Sequence, residues 1–333
     1  MQSTLAVISL GAVRANARAV IAASGAPLIA VVKDDAYGHG ALRIAHALSD
    51  MVCAFAVSTV NEGAQLVHGG VQKDILVLTP PLSAKEAARA KALGLILPLS
   101  SAPVLRVLMR AGRGVRAHLA VNTGMNRYGF PPGEAEEACR AAKRFGVCVE
   151  GVFSHLYEPS CPHALQAQER AFEEACARAE RVFPHLICHL AATGGIAYGG
   201  KAYHAVRAGL ALYGYAPQNA PVRLAVKPAM KIYAFVAQSG TPFGGGAGYA
   251  AAAKRYAALH TLRVGYGDGF FREGGLGAEG KLCMDACVRE GELPFGRRVC
   301  VLADAERYAR EHGTAAYEVL VSAGRRAEKR YVR

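Results

Sequence analysis

The stretch Ala30-Val31-Val32-Lys33-Asp34-Asp35-Ala36-Tyr37-Gly38-His39-Gly40 sets one lysine at the end of an apolar run and follows it with a turn holding a tyrosine and two glycines. A buried strand from Pro27 to Val32 would carry Lys33 on its carboxyl end, where parallel α/β sheets and barrels open their active sites. An amine there can form a Schiff base if its surroundings keep part of it unprotonated. A lone lysine at a strand end is more often simply solvated. The remainder of the chain decides between the two readings.

Working outward, short β-type runs alternate with helical patterns. The expected strands are Pro27 to Val32, Cys53 to Ser58, Asp74 to Thr79, Leu95 to Ser100, Arg116 to Val121, Val149 to Ser154, His185 to Ala191 and Ala205 to Tyr213. Between them lie Ala-rich amphipathic stretches: Gly11 to Ser24, Ser83 to Leu93 with a Ser83/Glu86 capping-box pattern, Gly133 to Phe145, and Ala164 to Val182. Strand, helix, strand at this spacing favours parallel pairing with right-handed crossovers, and eight such strands close a (β/α)8 barrel. An open doubly wound sheet fits the same pattern.

After Tyr213-Gly214-Tyr215-Ala216-Pro217 the alternation stops. Met230 to Gln238, Tyr256 to Val264, Lys281 to Val288, Arg298 to Leu302 and Ala316 to Val321 read as strands, with one helical stretch from Asp304 to His312. The expectation is a barrel over residues 1–221, whose first few residues join the second domain, and a mostly β domain over 222–333. Gly244-Gly245-Gly246 reads as a turn.

The chain has 333 residues, 52% of them hydrophobic, which is enough for a large core. No apolar run approaches the roughly 20 residues of a membrane span, and the amino end lacks a basic segment followed by an apolar one, so a soluble cytoplasmic protein is expected. Nine cysteines without dense spacing read as reduced thiols. Cys283 and Cys287 have no histidine at metal-ligand spacing and read as packing residues. The net charge of +13 is scattered, without a basic run interleaved with aromatics, so no nucleic-acid or membrane partner is expected. A small anionic ligand suits it.

Six further runs, taken with the lysine stretch, resemble the alanine racemase family in order along nearly the whole chain. They are Asn122-Thr123-Gly124-Met125-Asn126-Arg127-Tyr128-Gly129, Ser154-His155, Arg207-Ala208-Gly209-Leu210-Ala211-Leu212-Tyr213-Gly214, Val264-Gly265-Tyr266-Gly267-Asp268-Gly269, Cys283-Met284-Asp285, and Gly313-Thr314-Ala315-Ala316-Tyr317-Glu318-Val319-Leu320. The resemblance implies pyridoxal 5'-phosphate as cofactor, a barrel followed by a β domain, and a homodimer with shared active sites. It implies interconversion of L- and D-alanine through a cofactor aldimine by two bases, either supplying D-alanine for peptidoglycan or serving catabolic use of D-alanine.

The resemblance also assigns roles. Lys33 would hold the cofactor aldehyde and later act as one base. Tyr37 matches a phosphate-contacting tyrosine, and Thr193, Gly209 and Leu210 match positions where a hydroxyl and backbone amides surround the phosphate. Arg207 matches the arginine facing the pyridine nitrogen; a guanidinium keeps its proton, so the ring nitrogen would stay unprotonated. Arg127 and the Met284 amide of the partner chain would hold the substrate carboxylate. Tyr266 and Tyr317 would narrow the entrance around a methyl-sized side chain, with Tyr317 also against the cofactor. Asp268 and Asp285 receive no catalytic role.

The resemblance implies a second base, which in the family is a tyrosine ahead of a glycine-rich hairpin. Counting back from Tyr266 without gaps gives Ala247, whereas closing the hairpin by two residues gives Tyr249; an alanine cannot move a proton, so Tyr249 is preferred. His155 would orient and polarise that phenol. The family often has lysine and aspartate where this chain has Ala120 and Asn122, and that lysine can carry a carbamate that holds the arginine matched by Arg127. In its absence three alternatives stay open: an inorganic anion neutralises Arg127, another acidic side chain does, or Arg127 is simply more mobile. Ala192 stands where asparagine is usual. The rival readings are a serine or broad-specificity racemase of the same fold and a non-catalytic carrier of pyridoxal phosphate.

Overall fold

The computed structural model describes residues 4–251 and 254–333. It divides into two compact units. One comprises Arg14–Ala36 and Ala41–Val226, the other the residues up to Val13, Tyr37–Gly40 and Lys227–Arg333. Strand β1 (Thr4–Ser9) belongs to the second. The next eight, β2 (Leu28–Val31), β3 (Ala54–Val57), β4 (Asp74–Val77), β5 (Leu97–Leu99), β6 (Arg116–Ala120), β7 (Cys148–Phe153), β8 (Ile187–His189) and β9 (Val206–Ala208), belong to the first.

These eight strands pair in parallel in two runs, β4-β3-β2-β9 and β5-β6-β7-β8. Parallel bridges between Leu76 and Ile96 and between Ala192 and Arg207 join the runs at both ends. The Val77 N–H donates to the Ile96 carbonyl at 2.8 Å and the Arg207 N–H to that of Ala191 at 2.9 Å. The ring therefore closes as the expected (β/α)8 barrel, and the doubly wound alternative, which has two sheet edges, is ruled out. Residues of β2 are all buried, which is why this strand reads as an unbroken apolar run.

The helices follow the sequence pattern at Leu10–Ser24, Ala84–Ala92, Ala135–Arg144 and Pro162–Glu180. The Ser83 hydroxyl accepts from the Glu86 N–H at 3.2 Å, but the Glu86 carboxylate turns to the Leu82 N–H, so only half of the expected box forms. A reciprocal box forms instead at Thr59/Glu62. The expected strand Ala205 to Tyr213 stops at Ala208. Gly209 turns the chain into a helical turn over Leu210–Tyr213 that ends at Gly214 with φ +100°.

In the second unit, β10 (Met230–Gly240), β11 (Leu259–Leu262), β12 (Cys287–Glu290), β13 (Arg298–Leu302) and β14 (Glu328–Val332) join β1 in a sheet of order β12-β11-β10-β1-β14, with β13 also on β10. Strand β1 runs antiparallel to β10, Leu5 opposite Tyr233, and parallel to β14, Leu5 opposite Glu328. Two expectations fail here. Ala316 to Val321 is not a strand but the start of a helix, Ala316–Arg326, because Ala316, Val319, Leu320 and Ala323 recur at helical spacing and are the buried positions. From Lys281 to Val288 only the last two residues are in β12, Lys281 making a lone bridge to Tyr249. Among the described residues no helix is long and apolar enough to cross a membrane.

Candidate active site

Lys33 follows β2 at the carboxyl end of the barrel, and its side chain is 37% exposed. The next four residues are left-handed: Asp34, Asp35, Ala36 and Tyr37 have φ between 53° and 56°. Each such L-residue costs about 1–2 kcal/mol, so the turn persists only because its surroundings hold it. Glu62 Oε1 accepts the Asp34 N–H at 2.7 Å, and Asp35 Oδ1 accepts the Ala41 N–H at 2.8 Å. Beyond Ala36 the chain enters the β unit, where the glycines explain themselves. A Cβ on Gly38 would lie 2.6 Å from the Leu320 carbonyl oxygen, and one on Gly324 2.8 Å from the Gly38 oxygen. The Tyr37 turn and the helix Ala316–Arg326 thus cross backbone to backbone.

Around the barrel mouth, His155 has burial as the main cause of a pKa pushed down to about 3, with further lowering from Arg207, Arg127 and Lys33. One neutral histidine therefore senses three cations that the sequence placed far apart. Arg207 is 4% exposed. Its Nη1 donates to the His189 carbonyl and to His189 Nδ1, both at 2.7 Å, and its Nη2 to the carbonyls of Ser154 at 2.5 Å and Leu190 at 2.9 Å. Burial, then Arg127, lowers the Arg207 pKa to about 9, which leaves it a cation at neutral pH.

The histidine behind Arg207 was not singled out from sequence. His189 is fully buried and its pKa is driven well down by burial and by Arg207. Since Arg207 can only donate, His189 Nδ1 accepts, and the ring proton sits on Nε2. That nitrogen lies 2.9 Å from Nδ1 of His118, itself buried and held neutral with a pKa of about 3. The tautomers thus run in one direction, Arg207 to His189 to His118. Gly151 leaves room for the last ring, as a Cβ there would lie 2.7 Å from it. The available signal was a histidine in each of two buried strands.

Arg127 is placed by Asn122, whose Oδ1 accepts the N–H groups of Gly124 at 3.1 Å and Asn126 at 3.0 Å. Among the described residues no carboxylate comes within ion-pair distance of Arg127, and Ala120 is buried in β6. Gln168, also missed and 1% exposed, ties this loop to the next by donating to Thr123 Oγ1 at 2.9 Å and the His155 carbonyl at 3.1 Å. Thr193 Oγ1 accepts the Ala211 N–H at 3.2 Å, which brings Thr193 beside the turn containing Gly209 and Leu210.

The other expected residues lie in the β unit and are exposed: Tyr249 by 59%, Met284 by 56%, Tyr317 by 49% and Tyr266 by 37%. Two of them are held together by backbone. The N–H groups of Tyr266 and Gly267 donate to the carbonyls of Cys283 and Met284 at 3.1 and 2.9 Å, and a Cβ on Gly265 would collide with both carbonyls. Tyr249 pairs with Lys281, its carbonyl accepting at 2.7 Å, and carries Arg272 5.7 Å over its ring. The buried Asp268 accepts the Gly265 N–H at 3.0 Å and faces Arg326, which also reaches Asp285. Both aspartates thus have structural partners.

Residues 8–217 match the family model for the alanine racemase N-terminal domain. An alanine racemase of Deinococcus radiodurans is 33% identical over 98% of this chain and 98% of its own length, and one of Streptococcus pneumoniae 33% identical over 81% and 77%. Among solved structures, the alanine racemase of the D-cycloserine producer Streptomyces lavendulae has a TM-score of 0.89 at 30% identity, covering 100% of this chain and 98% of that one. That of Clostridium difficile 630 has a TM-score of 0.90 at 25% identity, covering 100% and 96%.

Proposed function

The chain belongs to the alanine racemase family and interconverts L- and D-alanine, and we propose that it does so with pyridoxal 5'-phosphate bound at the barrel mouth and two proton-transferring side chains on opposite faces of the substrate. The barrel residues fit that group. Lys33 offers a partly exposed amine at a strand end, Arg207 a buried cation, and the cations that add to the burial-driven lowering at His155 make a positive field that suits an anion. When bound, pyridoxal phosphate supplies an aldehyde for amines and a ring that withdraws electrons from the α-carbon.

The chain's own residues then divide the work. Lys33 would hold the aldehyde carbon of the bound group and move the α-proton on one face. The phenol of Tyr249 moves it on the other, oriented by His155. Burial and Arg127 lower the Arg207 pKa only to about 9, so at neutral pH it keeps its proton and donates four hydrogen bonds; it would leave the ring nitrogen without a proton and favour return of the α-proton to the same carbon. Tyr37, Thr193 and the amides of Gly209 and Leu210 hold the phosphate. Arg127 and the Met284 amide hold the substrate carboxylate, and Tyr266 with Tyr317 restricts the side chain to about a methyl group. That restriction favours alanine over the larger substrates of a broad racemase; one added hydroxyl is excluded weakly, by about 1–3 kcal/mol or less.

Residues 1–221 would bind the cofactor and 222–333 supply Tyr249, Met284, Tyr266 and Tyr317 to the site of a second copy, in a cytoplasmic homodimer that makes D-alanine for peptidoglycan. Four functional side chains exposed on one unit support that arrangement. The convergence of Lys33, Arg127 and Arg207 on His155 carries the reading. Incubation of the loaded protein with L-alanine in heavy water tests it. Loss of optical rotation with deuterium at the α-carbon is expected; an intact cofactor spectrum with no exchange would leave only a carrier.

A further inference from the structure

We infer that Glu62 is a positioning residue for Lys33, fixing the direction in which the lysine leaves the barrel; this rests on the reading of Lys33 as the cofactor-binding lysine. An ordinary capping box uses one glutamate oxygen on the N-cap amide. Here Oε2 fills that role, accepting the N–H groups of Ser58 at 2.7 Å and Thr59 at 2.9 Å, while Thr59 Oγ1 accepts the Glu62 N–H at 3.2 Å. Oε1 does something the cap does not require. It takes the Asp34 N–H at 2.7 Å, from the end of the neighbouring strand.

That N–H belongs to the peptide joining Lys33 to Asp34. Holding it fixes the ψ angle of Lys33 and with it the course of the chain into the left-handed residues Asp34, Asp35 and Ala36. Strands β2 and β3 are already paired, Ile29 with Ala54 and Val31 with Ala56. Glu62 extends this pairing one step past the last strand bond, from Val32 to Ala56 at 2.8 Å, to the first residue beyond the lysine. A carboxylate is needed because both oxygens must accept. The amide of glutamine offers one oxygen and would set an NH₂ against an N–H, and aspartate is a methylene too short to span both sites.

The test compares Glu62→Gln and Glu62→Asp with Thr59→Ala, which removes the cap hydroxyl but keeps the Asp34 bond. In the Glu62 variants, covalent attachment of pyridoxal phosphate to Lys33, trapped with borohydride and located by mass spectrometry, slows roughly 10- to 100-fold. Hydrogen exchange of the Asp34 amide quickens, and kcat falls while KM for alanine stays within about twofold. Thr59→Ala lowers Tm by roughly 2–4 °C and leaves attachment and Asp34 exchange unchanged. Normal attachment and Asp34 protection in both Glu62 variants overturn the inference, as does an equal loss in Thr59→Ala. No trapped label on Lys33 in the unaltered protein overturns the reading of Lys33 and the inference together; label on Lys33 with unaffected Glu62 variants overturns the inference alone.

Discussion

The barrel and the β unit hold the side chains proposed for the site in opposite ways. Arg207, His189 and His118 lie fully inside the barrel, each fixed by the next, so their geometry is set by folding. Tyr249, Tyr266, Met284 and Tyr317 stand half-exposed on the β unit, the first three placed by backbone hydrogen bonds between loops and Tyr317 by the helix Ala316–Arg326. The difference teaches where each kind of failure will appear. A change in the buried set damages stability and function together, whereas a change in the exposed set damages function alone.

The largest expected effect sharpens this contrast at its boundary. Lys33→Ala removes a partly exposed side chain whose one ion pair among the described residues is a 3.9 Å contact with Asp34, so steady-state kinetics should show kcat/KM down by about 10⁴-fold or more with Tm unchanged. A large loss of Tm would move Lys33 into the structural set. Arg207→Met comes next. It strands the buried carbonyls of Ser154, His189 and Leu190, and denaturant unfolding should register a loss of about 3–5 kcal/mol. A variant as stable as the parent would break the comparison from the barrel side.

Tyr249→Phe should lower kcat about 10²- to 10³-fold without altering the unfolding curve, while Tyr256→Phe should do neither. Full activity of Tyr249→Phe in both directions would return the hairpin alignment to its alternative. The smallest effect per group is in pH. His118 and His155, with folded pKa values of about 3 against 6.5 when free, and His189, also lowered, are neutral in the fold and take up protons on unfolding. Unfolding free energy should therefore fall as pH drops below 6.5 toward about 3, by up to about 1.4 kcal/mol per pH unit for each histidine. A flat profile between pH 6.5 and 5.5, above the range where most carboxylates titrate, would contradict the buried histidines.

The barrel was legible because parallel strands buried on both faces produce apolar runs, and those runs ended within a few residues of the real strands. Ala205 to Tyr213 was overextended since Gly209 breaks an apolar run whose two halves look alike. Ala316 to Val321 was misread because Val319, Leu320 and Val321 favour strand locally, and helical spacing shows only when Ala323 and Gly324 are included. Strand β14 escaped notice because its first three residues, Glu328, Lys329 and Arg330, are charged, as an edge strand's often are. In the site, motif residues with distinctive neighbours, Lys33 and Arg207 above all, were visible. His189, Gln168 and Glu62 were not, because each acts through a backbone or side-chain partner distant in sequence.

The central claim is that one complete site draws Lys33 from one copy of the chain and Tyr249 from another. Mixing inactive Lys33→Ala and Tyr249→Phe proteins under conditions that exchange subunits tests it most directly. If the site is shared, a mixed dimer holds one doubly altered and one intact site, and activity should return to roughly a quarter of the parent value at random exchange. If both residues serve the same chain's site, every mixed dimer stays inactive, and no recovery at any mixing ratio would contradict the account.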